Sequence, residues 1–407
     1  MKDGLLFVAT GWFLSAFVTG QTTPTAAPNE VRDAEYYFPL QWAPCYYNKN
    51  GDRENDDICL RRLDPQTGGF VPVKDHRNSP DCIVLAKDVG RKGAQGPELA
   101  RSKDGFYVLF NKQVEGKHEV WRTEPFGLDP TAKPIETMKV ASHPTRPVTQ
   151  VMHSRGHELE RVGVMISAGR GTQYGFLYEV EGDLSRLHDL PYRKRGDKAR
   201  WFPGSYQLTF VGEVEPGNRQ IVVVDATDHR HQIISNPGLK RNYETATPFR
   251  SPEYPGEVLV AATAEDEIVI LRDIGGVNWE EIRVLRSPDS ELPYLDGVEI
   301  IERDAVGAPG VPSIPWPTTY LVAWATNSLV DEERTHSGIF LWSLDGKIVR
   351  RIDSGEESGP ARYDPELVVI RNREEKALDL KVLFISRPKN GRVGQIYVGE
   401  TGLSFPR

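Results

Sequence analysis

Sulfur is scarce in this 407-residue chain, with three cysteines and four methionines. Cys45, Cys59 and Cys82 stand alone, and no spacing among them frames a zinc site. Basic charge is not in excess: 50 Lys and Arg stand against 58 Asp and Glu, a net charge of -8. General binding to nucleic acid or to anionic membranes needs a basic surface that displaces counterions, so both are excluded as expectations. After residue 20 no run approaches the roughly 20 apolar residues that a bilayer-spanning helix requires. Asn-x-Ser/Thr sequons are absent, which removes N-glycosylation. No Gly-rich phosphate loop, Gly-x-Ser-x-Gly elbow or dinucleotide fingerprint occurs. Long amphipathic helical periodicity is missing too.

What is present begins at the first residues. Lys2, the apolar stretch from Leu5 to Val18 and a small residue at Gly20 have the order of a secretory signal cut after Gly20. Residues 1–20 are therefore expected to direct export, and residues 21–30 ("QTTPTAAPNE") to be a flexible polar leader. An exported chain permits disulfides. Cys45 with Cys59 would join two strands of one hairpin, and Cys59 with Cys82 is the competing pair.

The chain is turn-rich, with 37 glycines and 30 prolines, and from residue 31 onward turns separate short runs of β-favouring residues. One strand pair keeps returning, at 106–124, 162–182, 206–226, 258–273, 320–346 and 381–402. With Leu109, Val164, Leu208, Leu259, Leu321 and Leu383 as equivalents, the spacings are 55, 44, 51, 62 and 62 residues. Multi-stranded repeats of this length predict an all-β fold, a β-propeller with radial sheets around a channel. Tyr36 to Asp75 supplies a further, diverged unit. Seven blades are favoured over six, and over a two-domain β protein, with residues 31–407 as a single domain.

The stretch "ARSKDGFYVLFNKQ" at 100–113 resembles the TolB-type propeller repeat, in which an inner strand ends in a Ser-x-Asp-Gly turn. "RSPEYPGEVLVAATAEDEIVILRD" at 250–273 is similar, with Ser251-Pro252-Glu253 where the repeat has Ser-Pro-Asp. The resemblance runs from Pro97 to Gly402 and implies the fold alone, since propellers host binding, scaffolding and many chemistries. In this register Glu253 is a turn residue accepting backbone N–H groups.

Three other glutamates read as starts of inner strands: Glu98 in "GPELARS", Glu299 in "DGVEIIERD" and Glu366 in "DPELVVIRN". Glu244 is a looser match. Carboxylates converging on the mouth of a channel can act as acid and base, ligate a cation such as calcium, or bind sugar hydroxyls. The plainer alternative is ion pairing with basic residues of neighbouring blades. Loops at the same end offer Arg170 in "SAGRGTQYG" and His336 in "TNSLVDEERTHSG", joined by Arg362 and Tyr363 just before Glu366. An Arg, Tyr and His group beside a uronate can neutralise its carboxylate and move protons in β-elimination.

Other features read as structural first. Arg101, His153, Arg200, Arg250, Arg303 and Arg371 fall near inner-strand ends, where guanidinium groups bridge blades to free carbonyls. His229 and His231 with Asp225 or Asp228 make a weak metal pattern at an outer turn. "NKNGDRENDD" at 48–57 lacks the order of a calcium loop, and Trp316 lies in a Pro-rich excursion. The expectation is a secreted monomeric propeller whose partner is an extracellular carbohydrate or other polar ligand. The first reading is a carbohydrate-active enzyme, a glycoside hydrolase or polysaccharide lyase, with catalytic Glu98, Glu299 and Glu366 and substrate-binding Arg170, His336, Arg362 and Tyr363. The second is a non-catalytic carbohydrate- or protein-binding propeller.

Overall fold

The strand pair Leu259–Ala264 and Glu267–Asp273 shows why the chain folds as it does. Its sequence is apolar on both faces, and all six residues of the first strand and the first five of the second are buried. A strand covered on one side needs only alternation; continuous burial means that a neighbouring sheet lies on each face. The two-residue turn Glu265-Asp266 between them holds Glu265 at φ 56°, the left-handed region that closes such hairpins.

The computed structural model describes, with interruptions at loops, residues 23 to 406; outside the description lie residues 1–22, 33–41, 49–56, 65–69, 72–81, 90–96, 143–149, 154–160, 302–316, 354–360 and shorter loop stretches such as 169–170, 331–334 and 388–394. The signal reading of residues 1–20 is among these. So are most of "NKNGDRENDD", Trp316 and Arg303.

The described strands form seven sheets, each built around antiparallel neighbours in chain order; in sheet II Thr137–Ser142 also pairs in parallel with Gly182–Asp183. Sheet I starts with Glu30–Arg32, Trp42–Asn48 and Asp57–Leu63, the last also pairing with Ile83–Ala86. Sheet II starts with Glu98–Ser102, Gly105–Val114 and Lys117–Thr123. Sheet III starts with Gln150–His153, Arg161–Ala168 and Gly171–Tyr178, and sheet IV with Arg193–Trp201, Gln207–Glu215 and Asn218–Asp225. In sheet V, Thr245–Phe249 precedes the pair described above and Trp279–Arg286 follows it. Sheet VI runs Tyr294–Ile301, Tyr320–Thr326, Ser337–Ser343, Val349–Arg351. Sheet VII contains Ala361–Asn372, Ala377–Arg387 and Gln395–Pro406.

Each repeated strand pair expected from sequence is the middle of one sheet, and the first strands of sheets II to VII pack against one another in succession. The apolar cores lie between consecutive sheets. Phe249, Ile268 and Ile270 of sheet V meet Leu321, Phe340 and Trp342 of sheet VI, while Val322 and Leu341 on the other face meet Val369, Val382 and Phe384 of sheet VII. Sheets I and II share a core of Ile58, Leu60, Phe106 and Phe110, and sheets IV and V one of Val211, Val223, Val260 and Val269. Thr23–Pro24 then pairs with Tyr397–Val398 on the outer edge of sheet VII, so an early segment completes the last sheet. Radial sheets packed face to face, with strands from both ends of the chain in one of them, are β-propeller architecture.

Two expectations change. Within the stretch read as a flexible leader, Thr23–Pro24 and Glu30 take part in sheets VII and I. The three cysteines are free thiols, wholly buried; Cys45 faces Cys59 across the first hairpin of sheet I, but neither disulfide weighed from the sequence, Cys45–Cys59 or Cys59–Cys82, is formed. No helix among the described residues is long and apolar enough to cross a membrane.

Candidate functional site

The first strands of the sheets wall the channel, and three of them bend before their candidate residue. Register shifts separate Arg195 from Arg200 in sheet IV, Asp296 from Glu299 in sheet VI and Tyr363 from Glu366 in sheet VII. Such bulges re-aim the side chain that follows. In sheet VI the bend needs Gly297, at φ 61°, because a Cβ there would lie 3.2 Å from Nε1 of Trp324. Its N–H donates to Oδ1 of Asp296 at 2.7 Å.

The bulges also move the glutamates. Glu299 and Glu366 do not open their strands as the sequence suggested; each lies five residues inside, opposite Val322 and Leu383. Glu98 does start its strand, opposite Leu109. Glu299 is 7% exposed, and its carboxylate accepts a hydrogen bond from the Arg200 guanidinium. That pair reaches from sheet IV to sheet VI past the first strand of sheet V, whose Thr247 hydroxyl donates to the Val298 carbonyl at 3.1 Å. Glu244 is likewise paired, with Arg219 of sheet IV. For these two glutamates the ion-pair reading is the one observed. Glu366 is partly buried on its strand.

At the other end of the same strands, sheets VI and VII bring His336 and Arg362 together through Ser337. The Ser337 hydroxyl accepts the Arg362 N–H, and the Ser337 carbonyl accepts from the Arg362 guanidinium at 3.2 Å. His336, next in the chain, is half-buried, with Nδ1 2.8 Å from the Thr335 hydroxyl. Asn327 closes this loop. Its Oδ1 accepts the N–H groups of both Thr335 and His336 at 3.0 Å, and its Nδ2 donates to the Thr335 hydroxyl. Tyr363 follows Arg362 on the backbone of the first strand of sheet VII, and Arg170 lies outside the described residues.

Arg362 itself is 5% exposed and committed to a charge chain whose inner end is buried. Its Nε lies 2.9 Å from Asp353, whose other oxygen accepts from Arg351 at 2.8 Å; Arg351 in turn reaches Asp289 at 3.1 Å. The guanidinium therefore fixes the first strand of sheet VII against sheet VI and orients its neighbours, rather than projecting freely into the channel. Asp289, Arg351 and Asp353 were not singled out from the sequence. Each partner comes from a different sheet or connection, and no local spacing signals them.

The turn residue Glu253 has the role its repeat position implies. Its carboxylate accepts from the Ser251 and Thr318 hydroxyls and, at 3.3 Å, from the Thr319 N–H, tying the end of sheet V to sheet VI. Among the described residues no group of three or more His, Cys, Asp or Glu side chains is placed to hold a metal ion, so the channel cation considered from sequence has no described ligand set.

No protein-family model matches the chain, and no curated protein matches its sequence. Among solved structures, a prolyl endopeptidase is similar at 10% identity and a TM-score of 0.49, covering 91% of this chain and 50% of its own. The AfRom2 CNH domain is similar at 9% identity and a TM-score of 0.49, covering 93% of this chain and 98% of its own. A TolB-like protein from Agrobacterium tumefaciens is 15% identical with a TM-score of 0.38, covering 63% and 79%. The chain spans half the length of the prolyl endopeptidase, and likeness at this level assigns no activity.

Proposed function

We propose that the seven sheets are the blades of one exported propeller that binds a polar extracellular ligand, a carbohydrate, at the end of the channel where sheets VI and VII meet. The observation that carries this reading is the loop closed by Asn327, which presents the half-buried His336 beside Ser337 and the Arg362–Tyr363 segment. A hydroxyl-rich ligand is held by such fixed donors and acceptors, and positioned polar groups need no large apolar pocket to do it. Arg362 acts as a positioning residue. The Arg200–Glu299 pair favours binding over chemistry at Glu299, since a carboxylate held by arginine is committed to its partner.

Catalysis is the second reading, and Glu366 is the group that favours it, because a bulge re-aims its strand and it stays partly buried. Here Glu366 and Glu98 would supply acid and base, as a glycoside hydrolase or polysaccharide lyase requires.

A panel of neutral and acidic polysaccharides in affinity electrophoresis separates the readings, with new reducing ends and unsaturated uronate absorbance followed in parallel. Retardation by at least one polysaccharide without new ends is expected. Turnover would transfer the case to the catalytic reading, in which Glu366→Gln abolishes it. No retardation across the panel and no turnover contradicts the carbohydrate assignment.

A further inference from the structure

A hydrogen-bond chain in the loop of sheet VI defines the state of His336. Oδ1 of Asn327 accepts the N–H groups of Thr335 and His336, each at 3.0 Å, which fixes the orientation of the amide. Nδ2 of Asn327 therefore faces the Thr335 hydroxyl and donates to it at 3.2 Å. With one lone pair so engaged, the hydroxyl still has its own hydrogen to give, and the acceptor beside it among the described residues is Nδ1 of His336 at 2.8 Å. A neutral ring that accepts at Nδ1 carries its proton on Nε2. Nε2 has no partner among the described residues and is not enclosed, so its N–H is the group that the loop offers to a ligand.

Charge at the same end points to the same kind of ligand. Arg351 and Arg362 are matched by Asp289 and Asp353 within one chain, which leaves no cation over for a ligand anion. The turn Glu265-Asp266 of sheet V adjoins the start of the first strand of sheet VI, where the Leu295 N–H donates to the Glu265 carbonyl at 2.8 Å. Leu295 lies opposite Ala325, two residues before Asn327. Both side chains of that turn are exposed, and neither enters an ion pair among the described residues.

We propose that the ligand is a neutral saccharide, one of whose oxygens accepts the Nε2–H of a neutral His336, and that Asn327 and Thr335 are the positioning residues that hold the ring in this form. The inference rests on the reading that the ligand site lies where sheets VI and VII meet. A uronate there would face the carboxylates of Glu265 and Asp266, with no charge on the imidazole to offset them. A neutral sugar meets no such repulsion, and its hydroxyl and ring oxygens suit a fixed N–H donor.

The test is affinity electrophoresis at about pH 8, above the ordinary titration range of imidazoles. Each polysaccharide retained from the neutral and acidic panel is compared with a partner that differs only in bearing a carboxylate in place of a primary alcohol, or the reverse. The neutral member is expected to bind about tenfold more tightly. Equal or tighter binding of the uronate member overturns the proposal while leaving the ligand site in place, whereas retention of no polymer removes the site and this inference with it. Long-range proton–nitrogen spectra of protein labelled at histidine read the ring directly, with His336 assigned by its loss in His336→Ala. The proton is expected on Nε2 in the wild type and in Thr335→Ser; Thr335→Val should mix the two tautomers and weaken binding about fivefold. A wild-type ring protonated on Nδ1, or Thr335→Val with unchanged tautomer and affinity, overturns the proposal. The wild-type spectrum decides even if a variant fails to fold.

Discussion

Asp353 has no exposed side-chain surface and stands between the guanidinium groups of Arg351 and Arg362. Removing the anion leaves the buried Arg362 guanidinium without its carboxylate and beside Arg351, which keeps Asp289, a larger cost than the net worth of the pair. Asp353→Ala is expected to lower stability by about 3–5 kcal/mol in urea denaturation. Replacing Asp353 and Arg362 together by leucine and methionine should recover part of that loss, because no unpaired charge then remains. A smaller effect at Asp345 is read through pH. The Ser343 hydroxyl, followed by Lys347, holds the Asp345 carboxyl down at about 2. The folded chain thus binds fewer protons than the unfolded chain as pH falls from about 4 to 2. Stability present above that window is lost through it, so Tm should fall across it, and fall less steeply in Asp345→Asn.

At the scale of elements, arginines on the outer strands of sheets V and VI lean against positive-φ glycines of the next sheet, Gly346 in a turn and Gly402 within Gln395–Pro406. Arg283 lies against Gly346, where a Cβ would come 2.6 Å from its guanidinium, and Gly346 also needs φ 78°. Arg350 lies against Gly402 in the same way and donates to the Thr401 carbonyl. Gly346→Ala should therefore cost about 1–2 kcal/mol through backbone strain and displacement of Arg283. The closing strand supplies a second test. Deleting residues 21–26 exposes the edge of Gln395–Pro406 at Tyr397 and Val398, and should lower Tm and promote association seen by light scattering.

The middle strands of each sheet were legible in the sequence because burial on both faces leaves unbroken apolar runs such as "VLVAATA" and "EIVIL". The first strands were placed less well. The bulges before Glu299 and Glu366 each add one residue to the strand, and "YLDGVE" carries no signal of the bend except Gly297, so both glutamates read from sequence as strand starts. His336 and Arg362 were found from loop length and chain position. The bonds that organise them run through Ser337, Asn327 and Asp353, across gaps in sequence that no local pattern spans.

Over the whole molecule, ion pairs among the described residues join sheets that apolar cores already pack together. The Arg200–Glu299 pair reaches from sheet IV to sheet VI, and the charge chain from half-buried Asp289 and Arg351 to buried Asp353 and Arg362 binds sheets VI and VII. A rigid wall with donors at one end suits recognition of a polar ligand without large motion. The most direct test is titration calorimetry of a retained polysaccharide against wild type, His336→Ala and Tyr363→Phe, with Asp345→Asn as a distant control. At least tenfold weaker binding in both site variants, with an unchanged control and unchanged Tm, is the predicted result. Equal affinity in all four proteins would contradict a ligand site where sheets VI and VII meet.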